Sequence, residues 1–187
     1  MPIPPRYEHV QYDDVPLPIR ESFNTIKKLR RGIFISGGVG TGKTHTIYAL
    51  KKQWDDNSTS PAPFFNTTEL LREIKDDFDR PYGEKRNTLE SLIKNKSPLF
   101  LDDMGSEKVS EWVQETFYLL INHKYNECTP VIISSNYTLA ELKERIGERV
   151  VSRLLEMCDR FSMDLIDRRF DKVINQSSNS QNDNNIT

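Results

Sequence analysis

The chain has 187 residues, 36% hydrophobic and 29% charged, with a net charge of −2. That length suits one well-cored domain, and the charge excludes a polycation that seeks nucleic acid over its whole surface, though not local basic patches. No apolar run approaches the ~20 residues that span a bilayer. The opening residues lack a basic-then-apolar signal, and Cys128 and Cys158 make neither a disulfide framework nor a metal cluster, so no membrane contact and a cytoplasmic location are expected.

Residues 1–18 carry five prolines and read as an extended lead-in. Residues 18–29 place Ile19, Phe23, Ile26 and Leu29 at helical spacing. Gly32–Ser36 is a short apolar strand, followed by a glycine loop and a helix over 44–51. After a polar loop at 55–60, residues 62–66 read as a strand weakened by Pro63. Thr67 or Thr68 then caps a helix to residue 78, with Leu70, Leu71, Ile74 and Phe78 on one side. A polar, partly basic loop at 80–87 precedes a short helix over 88–95. Residues 98–102 form a strand apolar on both faces, as a buried parallel strand should be. A long helix follows over 108–125, then a strand over 130–134. Helices at 139–146 and 148–157 are separated by Gly147, and 161–165 reads as a last strand. The tail from 174, rich in Asn, Ser, Gln and Asp, reads as disordered. Strands alternating with helices imply a parallel α/β sheet of about five strands. The chain divides into a lead-in (1–30), a core (31–172) and a polar tail (173–187).

The run Gly37-Gly38-Val39-Gly40-Thr41-Gly42-Lys43-Thr44 fits the phosphate-loop pattern. Glycines let successive backbone N–H groups curl around a phosphate. Lys43 reaches the outer phosphates, and the Thr44 hydroxyl can ligate Mg²⁺. The following helix turns its positive end to the same anion. His45 completes the expected nucleotide-binding set. Asp102 and Asp103 end an apolar strand, where ligands of open α/β sheets bind. Asp102 is the expected Mg²⁺-side acid, and Asp103 is placed to act as general base. Asn136 follows the next strand, where a neutral amide can orient water without repelling anions; the alternative is a helix N-cap. Arg149 and Arg153 lie four apart on one helical face, suited to phosphate; the alternative is pairing with Glu148, Glu156 and Asp159.

Together, Gly-Gly-Val-Gly-Thr-Gly-Lys-Thr, Leu-Phe-Leu-Asp-Asp-Met-Gly, Ile-Ile-Ser-Ser-Asn-Tyr and Gly-Glu-Arg-Val-Val-Ser-Arg-Leu resemble the AAA+ ATPases. Within them they resemble the DnaC/DnaI helicase loaders and the IstB transposition helpers, over roughly residues 7–170. The resemblance implies a three-layer P-loop fold with little or no separate lid, and an ATP hydrolase with ATP and Mg²⁺ as cofactors. It implies sensor-1 for Asn136, a finger reaching a neighbouring subunit for Arg153, and sensor-2 for Arg169 or its neighbour Arg168. It also implies that residues 7–15 lead into the adenine pocket. A homo-oligomer formed on ATP binding is expected. Single-stranded DNA is a candidate ligand of the basic stretch 80–96, which holds Arg80, Lys85, Arg86, Lys94 and Lys96.

A replicative helicase, or another replication or transposition protein, is the implied partner. Loaders grip the helicase through an N-terminal extension; here about thirty residues precede the first strand. That leaves either no helicase contact or contact through a different surface. Asp103 stands where many AAA+ proteins have Glu, which suits slow hydrolysis and a switch-like role. The alternatives of other classes are a small-molecule P-loop kinase and a non-hydrolysing nucleotide-binding scaffold.

Overall fold

A computed structural model describes residues 3–81, 84 and 86–163. Five parallel strands form one sheet: β1 (Gly32–Ser36), β2 (Phe64–Asn66), β3 (Leu99–Asp102), β4 (Val131–Ser135) and β5 (Cys158–Ser162). Their order is β2-β3-β4-β1-β5. The strand ending in the carboxylates and the strand feeding the glycine loop therefore flank β4.

The pleat sends alternate residues to two cores. Ile33, Ile35, Phe100 and Ile132 pack under α1 (Leu17–Leu29) and α2 (Lys43–Asp56). Phe34, Leu99, Leu101, Val131 and Ile133 face the other side. There they meet α3 (Thr67–Asp79), α4 (Thr88–Lys94), α5 (Glu111–Asn126), α6 (Leu139–Ile146) and α7 (Glu148–Met157). The result is the expected three-layer sandwich. Phe34, Phe100 and Phe117 are fully buried, and truncating any of them would cost about 3–5 kcal/mol. The lead-in joins the α1–α2 side: Val10 and Val15 are buried there, Val10 after a single 3-10 turn at Pro5–Tyr7 and Val15 directly after another at Tyr12–Asp14.

Several boundaries differ from the sequence reading. Helix α2 runs to Asp56, so the polar loop starts later; Lys51 and Asp55 pair one turn apart inside it. Strand β2 keeps only three residues, because Pro63 offers just its carbonyl, which accepts from Phe100 N at 2.9 Å. The cap of α3 is Asn66, whose Oδ1 accepts from Thr68 N at 3.0 Å, not Thr67 or Thr68. Leu29 and Phe78, expected on apolar faces, are exposed. Helix α5 starts at Glu111, where Ser110 Oγ accepts from Val113 N.

The last strand is Cys158–Ser162 rather than 161–165. Its Asp159 and Arg160 pair in register with Ile33 and Phe34. Charged edge residues masked the strand, since Asp159 is satisfied by Arg31 Nε at 2.8 Å and Ser22 Oγ at 2.8 Å. Cys158 is buried and Cys128 exposed; burial pushes the Cys158 thiol up, away from thiolate chemistry. The expected disordered tail, the lid expectation and the sensor-2 candidates Arg168 and Arg169 lie outside the described residues, as does Lys85 of the basic stretch.

Candidate functional site

Strands β1, β4 and β3 are adjacent and parallel, so their C-terminal ends share one edge. That brings the Gly37 loop, Asn136 and Asp102–Asp103 together. Gly37 has φ +153°, and a Cβ there would sit 2.7 Å from the Met163 carbonyl oxygen. Met163 N donates to Ser36 O at 2.7 Å, locking the loop's start to the exit of β5. Only glycine fits that junction.

Lys43 is buried, and its Nζ donates to the carbonyls of Gly37 at 2.8 Å and Gly38 at 2.6 Å. The ammonium is thus laid along the inside of the loop. Thr41 Oγ1 donates to Gly38 O at 3.0 Å, while Val39 at the tip is 65% exposed. Gly42 caps α2, and Thr46 N donates back to Gly42 O at 2.9 Å. The remaining first-turn amides of α2 are positioned for an anion.

Thr44 Oγ1 lies 3.4 Å from Asp102 Oδ1. Asp102 is buried beneath it, and burial pushes its carboxyl up; the Asp103 charge adds to this, and bonds from Ser134 and Thr44 oppose it. A hydroxyl and a buried carboxylate oxygen side by side are hard donors that fit Mg²⁺. Among the described residues no group of three or more His, Cys, Asp and Glu forms a metal cage. Mg²⁺ suits that, because it keeps waters and substrate phosphates and needs few protein ligands.

Asp103 has φ +61°, in the left-handed region. Asn136 Nδ2 donates to its Oδ1 at 2.7 Å. Asn136 does not cap the next helix; Thr138 does, through Glu141 N at 3.3 Å. Beneath this pair lie two serines that the sequence reading did not single out. Ser134 Oγ donates to Asp102 Oδ1 and accepts from Asp103 N at 3.0 Å. Ser135 Oγ donates to Met104 O at 2.6 Å. Together they bolt the exit of β3 to that of β4. The paired serines before Asn136 were the visible signal.

His45 packs edge-on to Tyr7, with ring centroids 5.3 Å apart, and Tyr7 stacks on Tyr48 at 4.5 Å. Burial pushes the Tyr48 phenol up to about 12, so it adds no anion beside the loop. The lead-in is thereby pinned to α2. A cavity of about 290 Å³ opens next to the loop between Pro16, Pro18, Ile19, Thr41, Phe161 and Met163.

Arg153 lies on α7, across the sheet from α2. Its Nε donates to Asn122 Oδ1 at 2.7 Å, and its guanidinium stands 5.0 Å from the Tyr118 ring. Arg149 stacks on that ring at 3.8 Å. Among the described residues neither arginine has a carboxylate partner. Glu148 pairs with Lys143 at 2.6 Å, Glu156 accepts from Tyr125, and Asp159 holds Arg31. The acid-pairing alternative is therefore not what the structure contains. In the basic stretch, Arg80 pairs with Asp77 at 3.7 Å, Lys94 with Glu90 at 2.5 Å and Lys96 with Glu127 at 2.5 Å. The two lysine pairs are exposed and weak, about 0–1 kcal/mol each, so a phosphate can displace them, whereas Asp77 is buried and also accepts from Arg86 N and Thr88 N. Among the described residues no helix is long and apolar enough to cross a membrane.

Comparison with known proteins gives the family and the fold. The chain is 28% identical over 163 residues to the replicative helicase loader DnaI of Bacillus subtilis (strain 168), covering 80% of this chain and 50% of that protein. It is 28% identical over 145 residues to the phage-like element PBSX protein XkdC of the same organism, covering 74% and 52%. The chain thus spans about half the length of the curated relatives it matches. A crystal structure of the DnaC helicase loader superposes with a TM-score of 0.73 at 27% identity, covering 85% of this chain and 99% of that one. The fold is the AAA+ P-loop fold. The model of the IstB-like ATP binding proteins matches residues 21–164, and the chain belongs to that family.

Proposed function

We propose that the chain is a Mg-ATP-hydrolysing ATPase that serves as an ATP-dependent assembly switch in DNA replication. The observation that carries this is the meeting of Lys43, Thr44, Asp102, Asp103 and Asn136 at one sheet edge. Gly37, Gly38, Val39, Gly40, Thr41 and Gly42 wrap the phosphates with backbone amides, and the Lys43 ammonium turns from loop carbonyls to the outer phosphates. Thr44 and Asp102 would hold Mg²⁺, which when bound neutralises charge on the β- and γ-phosphates. Asp103 takes the proton of the attacking water, and Asn136 fixes the carboxylate that does so. The lead-in borders the nucleoside side through Pro16 and Pro18, where the cavity beside Thr41 receives the base, and His45 packs on Tyr7 of the same lead-in.

Arg153 serves the nucleotide of a second copy. Its place on α7, in the layer opposite α2, supports action in trans, and Asn122 and Tyr118 hold the guanidinium ready. Arg169, or Arg168, completes the γ-phosphate contact within the same subunit. Single-stranded DNA binds along residues 80–96 of the assembled form. The partner is a replicative helicase or another replication protein, supported by the likeness to DnaI and DnaC. An IstB-like transposition helper is the second reading, supported by the family match. A kinase is disfavoured because its chemistry needs no arginine on α7. The test is ADP release from Mg-ATP measured at rising protein concentration. Release per protomer that rises with concentration is expected; ATP bound without ADP release would leave a scaffold instead.

A further inference from the structure

The turn that carries Asp103 is held from behind by a second carboxylate. Glu107 is only 7% exposed although it lies between β3 and α5. Its Oε1 and Oε2 accept from Gly105 N at 3.1 and 3.2 Å. Thr67 Oγ1, at the first residue of α3, lies 3.2 Å from Glu107 Oε2 and 2.9 Å from the Asp103 carbonyl oxygen. Its single proton is shared between those two acceptors. Arg145 of α6 closes the other side, with Nε donating to Gly105 O and Nη2 to Glu107 O at 3.5 Å. Gly105 has φ +94°, and a Cβ there would come 2.4 Å from Leu142 Cδ2. The turn is thus clamped between the start of α3 and α6.

Packing alone does not call for a carboxylate there. A buried acid carries a desolvation cost that an apolar side chain of similar size avoids. Asp103, however, holds a left-handed backbone, uncommon for non-glycine residues although Asp tolerates it better than most, and the aim of its side chain depends on what determines that turn. Glu107 and Thr67 supply that determination, one through the amide of Gly105 and the other through the carbonyl of Asp103.

We propose that Glu107 is a positioning residue for ATP hydrolysis: with Thr67 it holds the Asp103 turn so that the Asp103 carboxylate meets Asn136, and it ties that aim to the start of α3. This rests on Asp103 acting as the base. Glu107 makes no contact with the nucleotide loop in this role, so its loss acts on turnover and not on ATP affinity.

The test compares kcat, KM and the Kd for Mg-ATP in the wild-type chain, Glu107→Ala, Glu107→Gln, Thr67→Val and Asp103→Asn. Expected for Glu107→Ala and Thr67→Val is a kcat lowered about tenfold or more, the scale for losing an orienting partner, with Kd changed less than about twofold. Glu107→Gln keeps an acceptor for Gly105 N and should recover part of kcat. If Glu107→Ala does not fold, Thr67→Val, which removes one hydroxyl at constant shape, decides. Wild-type kcat in the folded latch variants beside a slow Asp103→Asn overturns the positioning role alone. Loss of kcat matched by equal loss of ATP affinity also overturns it, as general destabilisation. Wild-type turnover in Asp103→Asn removes the base assignment, and the latch falls with it.

Discussion

Asn136 donates its amide to Asp103 at 2.7 Å, joining the residues that follow β4 and β3 into one unit. One carboxylate oxygen is thereby fixed, which orients the other for a proton. Asp103→Asn should keep Mg-ATP bound and slow turnover by about 10²-fold or more, the scale for loss of a general base. Asn136→Ala should lose less, because the base survives and only its orientation relaxes. ADP-release kinetics beside calorimetric ATP titration separate the two effects. Wild-type turnover in Asp103→Asn would remove it as the base.

Arg153 should act between subunits. Arg153→Ala should lose on the order of 10³-fold in rate while ATP binding persists, as for arginine fingers. Asn122→Ala, which frees the Arg153 Nε but keeps its charge, should lose far less. Mixing Arg153→Ala with Lys43→Ala protein should restore some activity, since one mixed interface has both groups intact. A mixture that assembles and stays inactive contradicts the finger assignment.

Single-stranded DNA should bind the assembled, ATP-bound form more tightly than the free protomer. Three cations of the 80–96 stretch sit in ion pairs, so a phosphate must displace an acid at each, one protomer binds weakly, and an assembly adds its copies together. Anisotropy of a labelled oligonucleotide should show steep salt dependence. Lys85→Glu with Arg86→Glu should abolish binding and leave ATP binding intact. No binding at low salt, with or without a slowly hydrolysed ATP analogue, rejects DNA as a direct ligand.

Lys124 is fully buried on α5, donating to Asn95 O at 2.6 Å. Burial, helped by Lys96, pushes its pKa down to about 8. Below about pH 8 both folded and unfolded chains hold the proton, and the folded state bears the full cost of the buried charge. Between about 8 and the ordinary lysine value near 10.4 only the unfolded chain keeps it, so this group makes stability rise with pH across that window. Lys124→Met should raise Tm at pH 7 and flatten the change from pH 8 to 10. Thermal melts of both proteins across that range check it; a lower Tm at pH 7 with an unchanged slope would contradict the burial argument.

The phosphate loop and the two aspartates were legible because their chemistry is written in consecutive residues. Strands β1 and β3 were legible because both their faces are apolar. Strand β5 was not, since Asp159 and Arg160 read as surface while Arg31 and Ser22 satisfy Asp159 across the fold. Thr67 looked like a helix cap, yet its hydroxyl points inward to Asp103 and Glu107, a contact 36 and 40 residues away along the chain. Arg153 was visible as a motif residue, but its Asn122 and Tyr118 supports come from another helix and leave no local pattern.

Calorimetric titration of Mg-ATP into the wild-type chain and Lys43→Ala most directly tests whether the glycine loop is a nucleotide site. Matching thermal transitions establish that both are folded. Saturable binding to the wild type and none to Lys43→Ala is the expected result. Equal affinity in the two proteins would contradict a phosphate-binding loop at Gly37–Thr44.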